Sequence, residues 1–181
     1  MGYSIRKARL DDRSNIQELI AESARGLSRA HYSDAQIEAA VANVFGVDTD
    51  LIEDETYFVV EEAGQLIGCG GWSKRRTLYG GDQYAGRDVS YADPNSEPAK
   101  IRAFFVHPAH ARKGVARALI DRCEGEATAQ GFRAIELLST LPGVKFYESC
   151  GYVGQGDFEL ELHDGVKLEF VPMRKSLEPR T

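Results

Sequence analysis

Residues 99–130 constrain this chain more than any other segment. An apolar strand, Ala99–Val106, stops at His107-Pro108. A short basic loop with one glycine then opens directly into a helix carrying Val115, Leu119, Cys123 and Ala127 on one face, with Gly131 as its stop. A strand that feeds a helix this abruptly belongs to a sheet covered by helices. The helix start also has a chemistry of its own. The N–H groups of Gly114, Val115, Ala116 and Arg117 have no acceptor inside the helix, and the helix dipole adds partial positive charge there. Gly114 permits close backbone approach, while Arg112, Lys113 and Arg117 bring full charges. Capping and solvated charge alone would explain such a loop. Its place at the end of an apolar strand makes it an anion site suited to a pyrophosphate. It lacks both the GxxxxGK[ST] and the GxGxxG patterns.

The flanking sequence alternates elements with short connections. Ser4–Ala8 reads as a strand, and Asp11 or Asp12 caps a helix with Ile16, Leu19 and Ile20 at helical spacing. Ser33 caps a second helix bearing Ile37, Val41, Val44 and Phe45. Thr56–Glu61 and Gln65–Trp72 flank a turn at Ala63-Gly64, and Gly68-Cys69-Gly70-Gly71 inside the second strand signals a bulge or a close backbone approach. Arg133–Ser139 is a strand and Pro142–Ser149 a short helix. Val153–Leu162 and Val166–Met173 form a hairpin around Asp164-Gly165. The sum is a mixed α/β fold of about seven strands and four helices in a single domain over 1–181. Only the segment Arg75–Pro98 has no period. Disorder and function weigh about equally for such a loop; its tyrosines and its arginines Arg75, Arg76 and Arg87 favour one that covers a substrate.

Composition narrows the classes. A net charge of −6 lacks the cationic surplus of a general nucleic-acid binder. No apolar run reaches the length of a membrane span, and the N-terminus does not read as a signal peptide. Cys69, Cys123 and Cys150 are odd in number and widely spaced, so no disulfide framework, cysteine zinc site or other metal site is expected, and a cytoplasmic location is.

Phe104-Phe105-Val106-His107-Pro108 followed by Arg112-Lys113-Gly114-Val115-Ala116 resembles the acyl-coenzyme A signature [QR]xxGx[GA] of the GNAT acyltransferase superfamily. Ala111 stands at the [QR] position, with Arg112 one place later. Gly143-Val144-Lys145-Phe146-Tyr147-Glu148-Ser149-Cys150-Gly151-Tyr152 resembles that family's A-x-x-x-Y-x-x-x-G-[FY] segment, with Gly143 for the usual Ala and Thr140 where many members have Asn. Val171–Lys175 is similar to the family's last strand.

The resemblance implies a GNAT-type sheet splayed between the strand ending at Val106 and the strand 133–139, with acetyl-CoA held in the gap. The pantetheine arm would lie along Phe104, Phe105 and Val106 like an added strand. The pyrophosphate would rest on Arg112, Lys113, Gly114, Val115, Ala116 and Arg117, and a backbone N–H near Phe105 would serve as oxyanion donor. Tyr147 would protonate the departing thiolate; without the resemblance it reads as a core tyrosine. The implied reaction is acetyl transfer to a primary amine of a small molecule or peptide by direct attack. The alternative is a non-catalytic coenzyme A-binding sensor or scaffold, which Tyr147 disfavours; a nucleotide-binding protein using residues 112–117 is weaker still. No general base stands out. Glu136 reads as a solvated sheet residue, Asp82, Asp88 and Glu97 as turn formers, His107 and His110 as exposed, and Cys150 as a small buried thiol. The terminal strands are compatible with a homodimer.

Overall fold

The computed structural model describes residues 2–179. Its strands are β1 (Tyr3–Lys7), β2 (Tyr57–Glu62), β3 (Gln65–Ser73), β4 (Ala99–Val106), β5 (Ala134–Thr140), β6 (Val153–Gly154), β7 (Phe158–Glu161) and β8 (Lys167–Ser176). They form one sheet in the order β1-β2-β3-β4-β5-β8-β6, with β7 also paired to β8. Every pairing is antiparallel except β4 with β5. The helices are α1 (Arg13–Leu27), α2 (Asp34–Asn43), α3 (Thr49–Glu53), α4 (Val115–Ala129) and α5 (Val144–Ser149).

Two elements differ from the sequence reading. The segment 153–162 is two strands, because Gly156 sits at φ 100° and breaks the extended run. α3 is a fifth helix. It starts where Asp48 accepts from the Asp50 N–H, and it buries Leu51 and Ile52, but its five residues are too few to display a helical period.

The sheet separates two apolar layers. On one face α1, α2 and α3 pack with Phe45, Cys69, Leu160 and Phe170, joined by Ala103, Phe105 and Leu138. On the other, α4 and α5 pack with Trp72, Ile135 and Met173, joined by Phe104 and Val106. Strand alternation sends consecutive residues of β4 and β5 to opposite faces. Where these two strands part, the faces communicate.

Segment 75–98 is ordered by its own charges. Arg75 donates to both Asp54 carboxylate oxygens at 2.8 Å. Arg76 pairs with Glu97 at 2.6 Å, and Arg87 with the buried Asp48 at 2.9 Å. The three arginines that favour a substrate-covering loop in sequence therefore tie the segment to itself through Glu97 and to the body of the protein through Asp54 and Asp48. Among the described residues no helix is long and apolar enough to cross a membrane.

Candidate active site

β4 and β5 pair only at Ala99 with Ile135 and Lys100 with Glu136; beyond those positions they diverge. The Lys100 ammonium and Glu136 carboxylate meet at 3.0 Å at this apex, so Glu136 is an ion-pair partner rather than a solvated sheet residue. Past it, the β4 edge from Ile101 onward carries no β5 partner.

β4 is also bulged. Cys69 pairs with Phe105 and Gly71 with Arg102, so Gly70 alone faces both Ala103 and Phe104. Ala103 takes φ 51°, and its carbonyl accepts from the Tyr57 hydroxyl at 3.2 Å on the α1 face. Gly70 is required here, since a methyl in its place would stand 2.6 Å from the Phe104 ring. The bulge indicated by the β3 glycines thus lies on the strand opposite them. Beyond it, His107 N–H donates to Ile67 O on β3 at 2.9 Å. Alternation directs the Val106 N–H the other way, toward the gap.

The gap opens into a cleft of about 570 Å³. Of the residues expected to hold a cofactor, Phe104, Phe105, Val106, Arg112, Gly114, Val115, Ala116 and Arg117 line it. Lys113 does not, and its ammonium donates to Ala109 O at 2.9 Å. Arg112 at φ 61° and Gly114 at φ 85° turn the loop into α4, and the space where a Gly114 side chain would stand is open to 4 Å. Arg117 reaches toward α5 and donates to the Ser149 hydroxyl at 3.0 Å.

Tyr147 is both a core residue and a cleft residue. Its ring packs edge-on against Phe146 at 5.1 Å and Tyr152 at 5.7 Å. Its hydroxyl has no hydrogen-bond partner among the described residues, and the side chain lines the cleft. Burial holds this phenol well above its ordinary value, with smaller contributions from Cys150 and Cys123. It therefore carries its proton throughout the neutral and mildly alkaline range.

Several candidate bases lie elsewhere. Asp82 accepts from Thr49 and Asp88 from Ser90, while Glu97 pairs with Arg76. Cys150 is a buried free thiol. His107 and His110 are half-buried rather than exposed, and they stack edge-on at 5.6 Å. His110 enters the cleft lining, with Nε2 3.0 Å from Glu62 and Nδ1 buried without a partner. Arg102 also lines the cleft, and no sequence motif marks it. It is buried on β4, paired with Asp48 at 2.9 Å, and it donates to Thr77 O at 3.3 Å and Gly80 O at 2.6 Å. An arginine inside an apolar strand was the available signal, because a buried guanidinium requires partners. Among the described residues no three His, Cys, Asp or Glu side chains gather as metal ligands would.

None of the curated proteins matches the chain in sequence. Solved structures do match in fold. The GCN5-related N-acetyltransferase of Rhodopseudomonas palustris superposes with a TM-score of 0.72 at 19% identity, covering 97% of this chain and 96% of that one. The putative acetyltransferase yncA of Salmonella typhimurium, solved with its cofactor acetyl-CoA, gives 0.65 at 19% identity over 100% and 97%. The phosphinothricin acetyltransferase of Sinorhizobium meliloti, solved in complex with AcCoA, gives 0.63 at 20% identity over 97% and 89%. Residues 16–152, from the first buried isoleucine of α1 through Tyr152, match the acetyltransferase (GNAT) family, and the chain belongs to that family.

Proposed function

We propose that the protein transfers an acetyl group from acetyl-CoA to a primary amine. The observation that carries this reading is the gap between β4 and β5. It joins the α4 N-terminus on one face of the sheet to an apolar chamber on the other, with Tyr147 in its wall. The residues suit acetyl-CoA. The open space at Gly114, the unsatisfied N–H groups of Val115–Arg117, and Arg112 and Arg117 suit a pyrophosphate, and the unpaired edge of β4 suits an extended amide-bearing arm. Neighbours of the same fold solved with coenzyme A or acetyl-CoA support the assignment.

Acetyl-CoA, when bound, supplies an activated acyl carbon to which the amine nitrogen bonds as the C–S bond breaks. The chain's part is placement and polarity. β4 and α4 fix the donor, and holding two reactants in one cleft supplies most of the rate gain. The Val106 N–H, aimed into the gap, is the donor available to a carbonyl oxygen that gains charge. Tyr147 gives its proton to the departing sulfur and recovers one from solvent, which also takes the proton lost by the nitrogen.

The test is an amine panel with acetyl-CoA, following thiol release and acetylated amine together. Amine-dependent, stoichiometric appearance of both is expected. Tight acetyl-CoA binding with no amine turned over would favour a coenzyme A-binding sensor instead.

A further inference from the structure

The chamber on the α1 face is walled by rings and aliphatic side chains. Phe45, two residues past α2, bridges Phe105 on β4 and Phe170 on β8. The centroids are 5.5 Å apart at 59° to Phe105 and 6.3 Å apart at 70° to Phe170. Leu138 on β5 and Leu78 and Tyr79 from the 75–98 loop complete the wall. Ser23 on α1 and Ser28 just past its end add two small hydroxyls.

The charges are the second observation. Among the described residues no Asp or Glu lines the cleft; its ionisable groups besides Tyr79 and Tyr147 are Arg102, His110, Arg112 and Arg117. His110, Arg112 and Arg117 lie in the segment from Pro108 into the first turn of α4, and Arg102 is bound to Asp48 and two carbonyls. The chain's net charge of −6 is therefore not focused on the cleft. An acceptor with two or more ammonium groups would lose hydration there and find guanidinium groups in place of carboxylates. A ring, by contrast, gains both area and edge-to-face contacts from walls tilted at these angles.

We infer that the acceptor is a monoamine on a nonpolar, ring-bearing body, and that polyamines are poor acceptors. This deepens the acetyl-transfer reading and rests on it. Binding is measured so that the two can fail separately.

The experiment is calorimetric titration of the coenzyme A-loaded protein with 2-phenylethylamine and with spermidine, repeated for Leu78→Glu. Leu78 is half-buried on a loop, so the substitution places a carboxylate at the chamber without removing core packing. At least tenfold tighter binding of 2-phenylethylamine by the native protein, with the preference narrowed or inverted in Leu78→Glu, supports the inference whether or not the amine is acetylated. Equal or tighter binding of spermidine overturns it, even if spermidine is acetylated, in which case acetyl transfer stands. Binding of neither amine also overturns it.

Discussion

Gly143 and Tyr147 face each other across one turn at the start of α5. A methyl on Gly143 would stand 3.2 Å from the Tyr147 ring and 2.9 Å from the Ser139 hydroxyl. Ser139 is buried and donates to Thr140 O at 2.7 Å, so it yields poorly and the ring must move. Gly143→Ala is expected to lower kcat several-fold and to cost about 1 kcal/mol of stability, in the range of mild overpacking. Steady-state rates measured with the melting temperature check this; an unchanged kcat would mean that the phenol's position is not critical.

The turn into α4 is the second place where a single atom matters. Gly114 holds φ 85°, and nothing stands within 4 Å of where its side chain would be. Gly114→Asp adds backbone strain and negative charge beside the Val115–Arg117 N–H groups. Acetyl-CoA affinity by calorimetry is expected to fall at least tenfold. Native affinity in this variant would move the pyrophosphate elsewhere.

Asp48 serves three partners at once: Arg102, Arg87 and the N-terminus of α3. Asp48→Ala leaves the buried Arg102 guanidinium without its counter-charge, and removing one partner of such a pair costs about 3–5 kcal/mol. The expected result is a large drop in the denaturant midpoint, accompanied by faster proteolysis within 75–98. Replacing that whole segment by a glycine linker would remove the Thr77 and Gly80 carbonyls from Arg102 as well, so it is expected to unfold the protein rather than only weaken amine binding.

The pH profile separates a base on the protein from a base in solvent. No carboxylate lines the cleft among the described residues, and burial raises the Tyr147 phenol above its ordinary value. A general acid works below its pKa, so a raised value extends the active range upward. For each amine, kcat/KM should climb with pH to that amine's own pKa, with no falling limb from Tyr147 below about pH 10, the ordinary tyrosine value. A rising limb near neutrality shared by amines of different pKa would reveal a base on the protein.

The βα unit was legible because Pro108 and Gly114 fix its boundaries, and the strands because their apolar runs end at turn residues. What stayed hidden depends on contacts between distant residues. Ala103 gives no local sign of a positive φ; only the glycines opposite it did. Arg75, Arg76 and Arg87 look free in sequence because Asp54, Glu97 and Asp48 reach them only in the fold. The lack of acid in the chamber depends on which segments meet there: β4 carries no acidic residue, and Glu136 of β5 is bound to Lys100 at the apex of the gap. His110 looked exposed because the half-buried setting of its ring depends on Glu62, 48 residues away.

The most direct test of acetyl transfer through this cleft is amine-dependent thiol release by the native protein and by Tyr147→Phe, with acetyl-CoA affinity and melting temperature measured on both. The substitution keeps the ring in contact with Phe146 and Tyr152 and removes only a hydroxyl that has no hydrogen-bond partner among the described residues. Affinity and stability are expected to be unchanged. Both kcat and kcat/KM are expected to fall together by about 10- to 1000-fold, the behaviour of an interaction made only in the transition state. An unchanged kcat where chemistry limits turnover would contradict proton transfer from Tyr147 in this cleft.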